Sequence, residues 1–482
     1  MNRDIAGYQR RTTILLVASS LTTALALFAV FRVTAEAVTA SWIGAWSLLQ
    51  GLFLVARVSD SGAGNNISRV IALRMKEGLE LDLRNFSVAS LLIASGPSIA
   101  LTLATAPLIG IYITHQFEND LPSNQLWTLV WLALLTSIIT AVSNILLAIC
   151  EGAFELNYKS TVTILANAVG VMSIGPLLHA AGPAGIGWTY AVMSATQLLL
   201  GITRVAMLAA HAPKVRASAV IENARALWRE NLHLSGIAVI RLSFEPVTKL
   251  LLSLYAPLIV IAQFELALRV TTQIRVILQS ALQPLLVLGA RSNQSGEAAV
   301  HSIFNRNDRI LSILSVIVLL AQVTAAPAIQ LAGLGFIDAL FITIFGILAA
   351  GNAANTMGIA GYYWQFTSGT LAPLIKLQAI MAIVNVGFGL LGRIVESTPI
   401  VVSAYAAAFT VGGFVSRSFL PQIPFLKSFA NAVAVLILAS LAVALLISYN
   451  PSSATQATVI FVCGTLLAFI AFIVVYLRAR RS

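Results

Sequence analysis

The sequence predicts an all-α polytopic membrane protein, from its composition, its succession of long apolar segments and the alternation of charge between its loops. Hydrophobic residues make up 58% of the 482-residue chain and charged residues 10%. A soluble domain carries roughly a quarter charged residues, because its surface must be solvated. Most of this chain's surface must therefore meet lipid. In hydrocarbon a helix satisfies its own backbone polar groups, and about 20 apolar residues cross the bilayer core.

About fourteen such segments can be read in order: 12–32, 38–56, 87–113, 126–149, 160–179, 184–207, 234–256, 258–286, 309–330, 333–356, 372–391, 398–416, 428–448 and 456–477. Loop charge tests this count. With the N-terminus in the cytoplasm, the cytoplasmic loops hold Arg57, Arg69, Arg74, Lys76 and Arg84, then Lys159, Arg204, Lys214, Arg216, Arg225 and Arg229. They continue through Arg291, Arg306, Arg309, Lys376, Arg417 and Lys427 to the tail residues Arg478, Arg480 and Arg481. The opposite loops hold Arg32 and Arg393, and one of them, His115 to Asn124, is acidic. An excess of Lys and Arg marks the cytoplasmic side, and a wrong span count would scramble the alternation. Both termini are thus expected in the cytoplasm. The same bias accounts for the net charge of +11 without invoking nucleic acid.

The N-terminal basic residues Arg3, Arg10 and Arg11 precede an apolar stretch too long for a signal peptide, so span 1 reads as retained. The longest polar segments, about 57–86 and 208–233, are basic, helix-compatible and suited to the anionic inner membrane face. The second divides the chain. The expected layout is a six-helix lobe over 1–210, a cytoplasmic linker over 211–233, a second six-helix lobe over 234–418 and an extra helix pair over 419–482. Lobes with even span numbers share one orientation, with the substrate path between them.

Enzymatic classes find little support. There is no phosphate-binding Gly-Lys signature, and Gly182 to Gly187 is only an interhelical turn. The two cysteines, Cys150 and Cys463, and the five histidines show no metal-ligand spacing. No cofactor is expected. A membrane-bound polymerase or acyltransferase would need an extended outer loop carrying catalytic groups, and none is present.

The charges that stand out are inside spans 7 and 8: Arg241, Glu245 and Lys249, then Glu265, Arg269 and Arg275. An ionised side chain at the bilayer centre costs at least about 2.5–3.5 kcal/mol, so such groups face protein or water. Arg241, Glu245 and Lys249 are spaced by four, which on one continuous helix stacks them on one face; Glu265 and Arg269 repeat the spacing. Four bases against two acids suit an anion, and the planar fork of Arg suits phosphate. Glu245 and Glu265 are candidates for a coupling proton or sodium ion, each with a base at helical spacing that would hold it ionised. In the alternative, acids and bases pair internally and only pin spans 7 and 8 together. Arg32 and Glu36 read as an interfacial ion pair, and Asp338 as a lone acid near the outer end of span 10. Asp60 to Arg69, with its glycines and polar residues, reads either as a turn or as the cytoplasmic mouth of the substrate path.

Two stretches carry a family resemblance. Ser41 to Arg69 (SWIGAWSLLQGLFLVARVSDSGAGNNISR) resembles the second span and following loop of bacterial oligosaccharide flippases. Pro246 to Pro284 (PVTKLLLSLYAPLIVIAQFELALRVTTQIRVILQSALQP) is similar to their seventh and eighth spans, and Glu151-Gly152 to their short polar loop after span 4. The resemblance implies the multidrug/oligosaccharidyl-lipid/polysaccharide exporter superfamily, with two six-helix lobes around a cavity and alternating access. It further implies a flippase in the bacterial cytoplasmic (inner) membrane that moves polyprenyl-diphosphate-linked oligosaccharide outward for surface polysaccharide. On that reading Arg241, Lys249, Arg269 and Arg275 form the cationic cavity. The implied partners are the lipid-linked substrate, membrane lipids and polysaccharide polymerase machinery. The chain departs from the family's pattern at Thr248, where an acidic residue usually precedes the basic one. A multidrug antiporter would be expected to place a carboxylate in span 1, and Thr12 to Phe31 holds none; a lipid II flippase is the nearer alternative, although span 1 lacks a mid-membrane Arg.

Overall fold

A computed structural model describes residues 2–57, 63–64, 66–68, 70–71, 82–153, 155–210, 215–242, 244–282, 297–367 and 372–449. Among these residues every regular element is helical. In chain order they are α1 (Asn2–Ala37), α2 (Ala40–Ala56), α3 (Leu83–Ser90), α4 (Gly96–Gln116), α5 (Ser123–Gly152), α6 (Leu156–Ala181), α7 (Ala184–Leu208) and α8 (Ala217–Leu242). There follow α9 (Glu245–Ser253), α10 (Leu258–Leu282), α11 (Glu297–Leu334), α12 (Ala339–Met357), α13 (Ile359–Thr367), α14 (Ala372–Ile394), α15 (Thr398–Arg417) and α16 (Phe425–Tyr449).

Ten of the described segments are long and apolar enough to cross a membrane, α3 and α4 counting as one through a π turn at Leu91–Ser95. The π turn lies beside Pro97, which has no N–H to donate into the preceding turn. At 17 residues α2 is a shorter apolar helix. Expected spans 7 and 8 are exceptional. The first is interrupted, and the second, α10, carries Glu265, Arg269 and Arg275. The expected span 456–477 lies outside the described residues.

The chain divides into two compact units, Met1–Leu250 and Leu251–Ser482. In the first, α5 packs against α7, and α6 against α7 and α1. At one end of this unit Ile67, Ile71, Phe86, Ile145, Ile149 and Cys150 bury one another. Glu155 binds Arg204 there, and Lys159 binds Glu151 at 2.6 Å. In the second unit α12 is the central helix, packed against α10, α11, α15 and α16. Small residues let α12 and α15 nearly touch: a Cβ on Gly413 would come within 2.1 Å of the Ala354 carbonyl oxygen. Membrane helices use such residues because dispersion contacts, with no hydrophobic drive, must hold them together.

Candidate functional site

The break in expected span 7 follows from its sequence. Helix α8 ends at Leu242, Phe244 turns, and α9 starts at Glu245 with Pro246 as its second residue. Proline disfavours helical backbone in the residue before it and lacks a donor, yet fits a helix's first turn. The expected stack of Arg241, Glu245 and Lys249 on one helix is therefore corrected: Arg241 belongs to α8, and only Glu245 and Lys249 share α9.

Lys249 has no exposed side-chain surface, while Glu245 keeps 26% of its own. The Lys249 Nζ donates to Glu245 Oε1 at 2.6 Å and to the Ser47 carbonyl oxygen of α2 at 3.3 Å. A buried ammonium needs such partners, since desolvation otherwise costs more than the fold can supply. Gly51 of α2 gives the stem its space: a Cβ there would lie 3.1 Å from Lys249 Cδ. Thr248 returns its hydroxyl proton to the Phe244 carbonyl oxygen at 2.9 Å. The Thr248 hydroxyl is thus bonded within its own turn.

In the second unit α10 carries the other charges. Arg269 Nε donates to Glu265 Oε1 at 2.6 Å, with 35% of the arginine side chain exposed and 6% of the glutamate. Farther along, the Arg275 guanidinium carbon lies 4.6 Å from the centre of the Phe409 ring of α15. Its Nη1 donates to Asn355 Oδ1 of α12 at 3.3 Å. Asn355 in turn donates to the Phe409 carbonyl oxygen at 3.1 Å, and Phe409 stacks on Tyr405 with centroids 4.5 Å apart. The planar cation is thus held by a ring face and an amide, the geometry that suits guanidinium better than ammonium. Thr271, Asn352 and Thr356 line a small crevice beside it, together with Ile274, Leu278 and Val318. A separate cavity of about 530 Å³ lies among α12, α15 and α16, lined by Gly346, Ala350, Ala406, Ala439 and their neighbours. Its lining holds no charged group.

Arg32 and Glu36 pair at 2.5 Å, as their spacing suggests. Asp60 and Arg69 lie outside the described residues, as does the Arg241 side chain. Two arrangements were not legible in the sequence. Arg417, expected among the solvated loop charges, is buried at the end of α15 and makes a two-bond pair with Asp308 of α11, each bond 2.8 Å. Asp338, expected to stand alone, caps α12 through Leu340 N–H at 3.1 Å and accepts from Gln263 Nε2 at 2.9 Å. No sequence pattern marks either pairing, because the partners are 109 and 75 residues apart.

No family model and no curated protein matches this chain. Solved structures do match. The lipid II flippase MurJ, in an inward closed conformation, is similar with a TM-score of 0.67 at 11% identity, covering 97% of this chain and 100% of that one. An inward-facing multidrug resistance MATE family transporter of the MOP superfamily aligns with a TM-score of 0.64 at 12% identity, covering 88% and 98%. A MOP superfamily transporter from Pyrococcus furiosus aligns at 0.56 and 13% identity, covering 91% and 95%. At such identities the likeness is one of fold. The chain is a multi-pass membrane protein with the fold of MOP superfamily transporters and flippases.

Proposed function

We propose that this protein is a flippase that carries polyprenyl-diphosphate-linked oligosaccharide across the bacterial cytoplasmic membrane by alternating access, for surface polysaccharide. The observation that carries the reading is the pair of guanidinium groups on α10. Arg269 is partly exposed beside Glu265, and the Arg275 guanidinium carbon lies over the Phe409 ring. Guanidinium forks match the paired oxygens of a diphosphate, and placing them within a membrane-spanning fold is costly unless they serve a ligand or a partner. Lys249 has a different part. Its enclosed ammonium is taken by Glu245 and Ser47, so it braces α9 against α2 in this state and does not touch substrate. The fourteen-span topology with both termini inside belongs to this proposal, and so does Arg241 as a further basic group near the substrate.

Lipid II flippase activity is the nearest second reading, supported by the coverage of MurJ over nearly the whole chain. Multidrug export is compatible with the fold as well, and the absence of a carboxylate from Thr12 to Phe31 weighs against it. The test is mass spectrometry of lipid extracts from a strain lacking the gene, beside an assay of surface polysaccharide. Accumulation of a polyprenyl-diphosphate oligosaccharide with loss of one surface polymer supports the proposal and identifies the sugar. Accumulated lipid II moves the chain to the second reading. An unchanged lipid pool with greater sensitivity to cationic drugs overturns both.

A further inference from the structure

Arg275, Asn355 and Phe409 close a triangle across three helices of the second unit. Arg275 of α10 donates from Nη1 to Asn355 Oδ1 of α12 at 3.3 Å, and Asn355 Nδ2 donates to the Phe409 carbonyl oxygen of α15 at 3.1 Å. The third side is the guanidinium carbon, 4.6 Å from the centre of the Phe409 ring. The middle member must accept and donate at once. A guanidinium only donates and a backbone carbonyl only accepts, so the partners fix which end of the amide faces each. One turn earlier on α12 Asn352 repeats the reach, its Nδ2 donating to Thr271 Oγ1 of α10 at 3.3 Å. Residues three apart on α12 thus meet residues four apart on α10, each pair on one helix face. The Asn352 rung is enclosed, whereas Asn355 and Arg275 are half-buried. Helix α15 leaves room for the amide: a Cβ on Gly412 would lie 3.0 Å from Asn355 Nδ2.

Lys249, Arg269 and Arg417 are held differently, each donating to a carboxylate, at 2.6, 2.6 and 2.8 Å. Asn355 takes a guanidinium proton without bringing a negative charge. A neutral bond of this length adds little to stability. Its geometric effect is larger, since a planar cation resting on a ring face can otherwise turn in its own plane. An anion is gripped by two parallel N–H bonds only when the fork points at it. A side chain oriented in advance also avoids the ordering cost that binding would otherwise incur.

We propose that Asn355 is a positioning residue for anion binding, which fixes the orientation of the Arg275 guanidinium over Phe409 before the ligand arrives. The ligand class is a diphosphate, and the inference rests on the reading of Arg275 as its contact. Asn355 acts through Arg275 and does not itself touch the ligand. An amide suits the position because it bridges a donor and an acceptor and takes nothing from the positive charge. An aspartate there would set an acceptor against the Phe409 carbonyl and a negative charge against the diphosphate.

The experiment uses the purified full-length chain in nanodiscs of zwitterionic lipid, with inorganic pyrophosphate as the probe. Calorimetry reads its affinity, and the melting temperature reads the fold. The wild type is expected to bind pyrophosphate. Asn355→Ala should bind it roughly tenfold more weakly, equivalent to about 1.4 kcal/mol, and melt within a few degrees of the wild type. Asn355→Asp, with its added negative charge, should bind more weakly still. The discriminating measurement is a double-mutant cycle with Arg275→Lys, which keeps the charge and gives up the fork. In that background Asn355→Ala should lower affinity by about twofold or less, because no fork remains to be aimed. An equal loss in both backgrounds overturns positioning in favour of direct contact between Asn355 and the ligand. An Asn355→Ala protein that melts far lower, yet binds like the wild type while folded, overturns it in favour of a structural bridge. A wild type indifferent to pyrophosphate overturns the inference together with the diphosphate reading of Arg275. Wild-type binding with insensitive Asn355 variants removes the inference alone, and the lipid-pool assay decides the transport reading independently.

Discussion

Helices α9 and α10 carry the same acid–base step in the same direction, Glu245 to Lys249 and Glu265 to Arg269, each closed at 2.6 Å. They bury opposite ends of it. In α9 the base is enclosed completely and the acid keeps 26% of its side-chain surface, whereas in α10 the acid keeps 6% and the base 35%. Spacing alone would assign the two pairs one role. Burial separates them, since Arg269 keeps exposed side-chain surface and Lys249 has none in this state. The difference comes from the neighbours. Gly51 and the Ser47 carbonyl of α2 make a slot for the Lys249 stem, while the Arg269 side chain keeps 35% of its surface exposed.

The largest expected effect comes from Lys249→Ala. It empties the slot and removes the Lys249 ammonium that Glu245 accepts from at 2.6 Å. Removing one partner of a buried pair costs about 3–5 kcal/mol, and the partial exposure of Glu245 places this case near 3. Folded protein recovered from the membrane should fall sharply, and Lys249→Met, which refills the volume, should recover part of it. Wild-type recovery of Lys249→Ala would remove the distinction between the two pairs.

Arg269 needs a more careful test, because Glu265 is the buried member of its pair. Arg269→Ala alone strands that carboxylate, so loss of transport could reflect loss of fold. The double variant Glu265→Gln with Arg269→Ala removes the stranded charge. It is expected to be inserted and folded like the wild type, and to leave surface polysaccharide absent. Restored polysaccharide in the double variant would show that the pair only pins its helix.

The division of roles was only partly legible in the sequence. The acid–base steps were, because helical periodicity puts residues four apart side by side. The break before α9 was legible in principle from Pro246, which removes Arg241 from the helix of Glu245 and Lys249. Which member of each pair is buried was not, because that depends on residues some 200 positions away: the Ser47 carbonyl receives Lys249 across 202 residues. The same limit hid Asp308 with Arg417 and Gln263 with Asp338, pairs made by packing between helices and not along one. Apolar span positions were the most legible feature, since hydrocarbon constrains length and composition directly.

A smaller effect is expected at Arg275, whose guanidinium carbon lies 4.6 Å from the centre of the Phe409 ring. Arg275→Lys keeps the charge but gives up the planar fork and part of the ring contact, worth about 1 kcal/mol. Transport should fall several-fold with folded protein unchanged, and Phe409→Leu should produce a loss of the same order. A lysine variant that transports like the wild type would reduce Arg275 to a point charge.

The smallest effect tests the slot itself. Replacing a helical Gly by Ala gains about 0.5–1 kcal/mol from backbone entropy. At Gly51 that gain meets a Cβ 3.1 Å from Lys249 Cδ, a contact the flexible stem relieves by moving a few tenths of an ångström. Gly51→Ala should therefore lie within about 0.5 kcal/mol of the wild type, while Gly51→Val, adding methyl groups against the same stem, should cost about 1–3 kcal/mol. The two substitutions are coupled through shared space, so their effects should not add. In the Lys249→Ala background the stem is gone, and Gly51→Ala should stabilise by the full entropic gain while filling part of the void. Equal effects of Gly51→Ala in both backgrounds, read as melting midpoints in the same detergent, would mean that Lys249 does not occupy the slot beside α2.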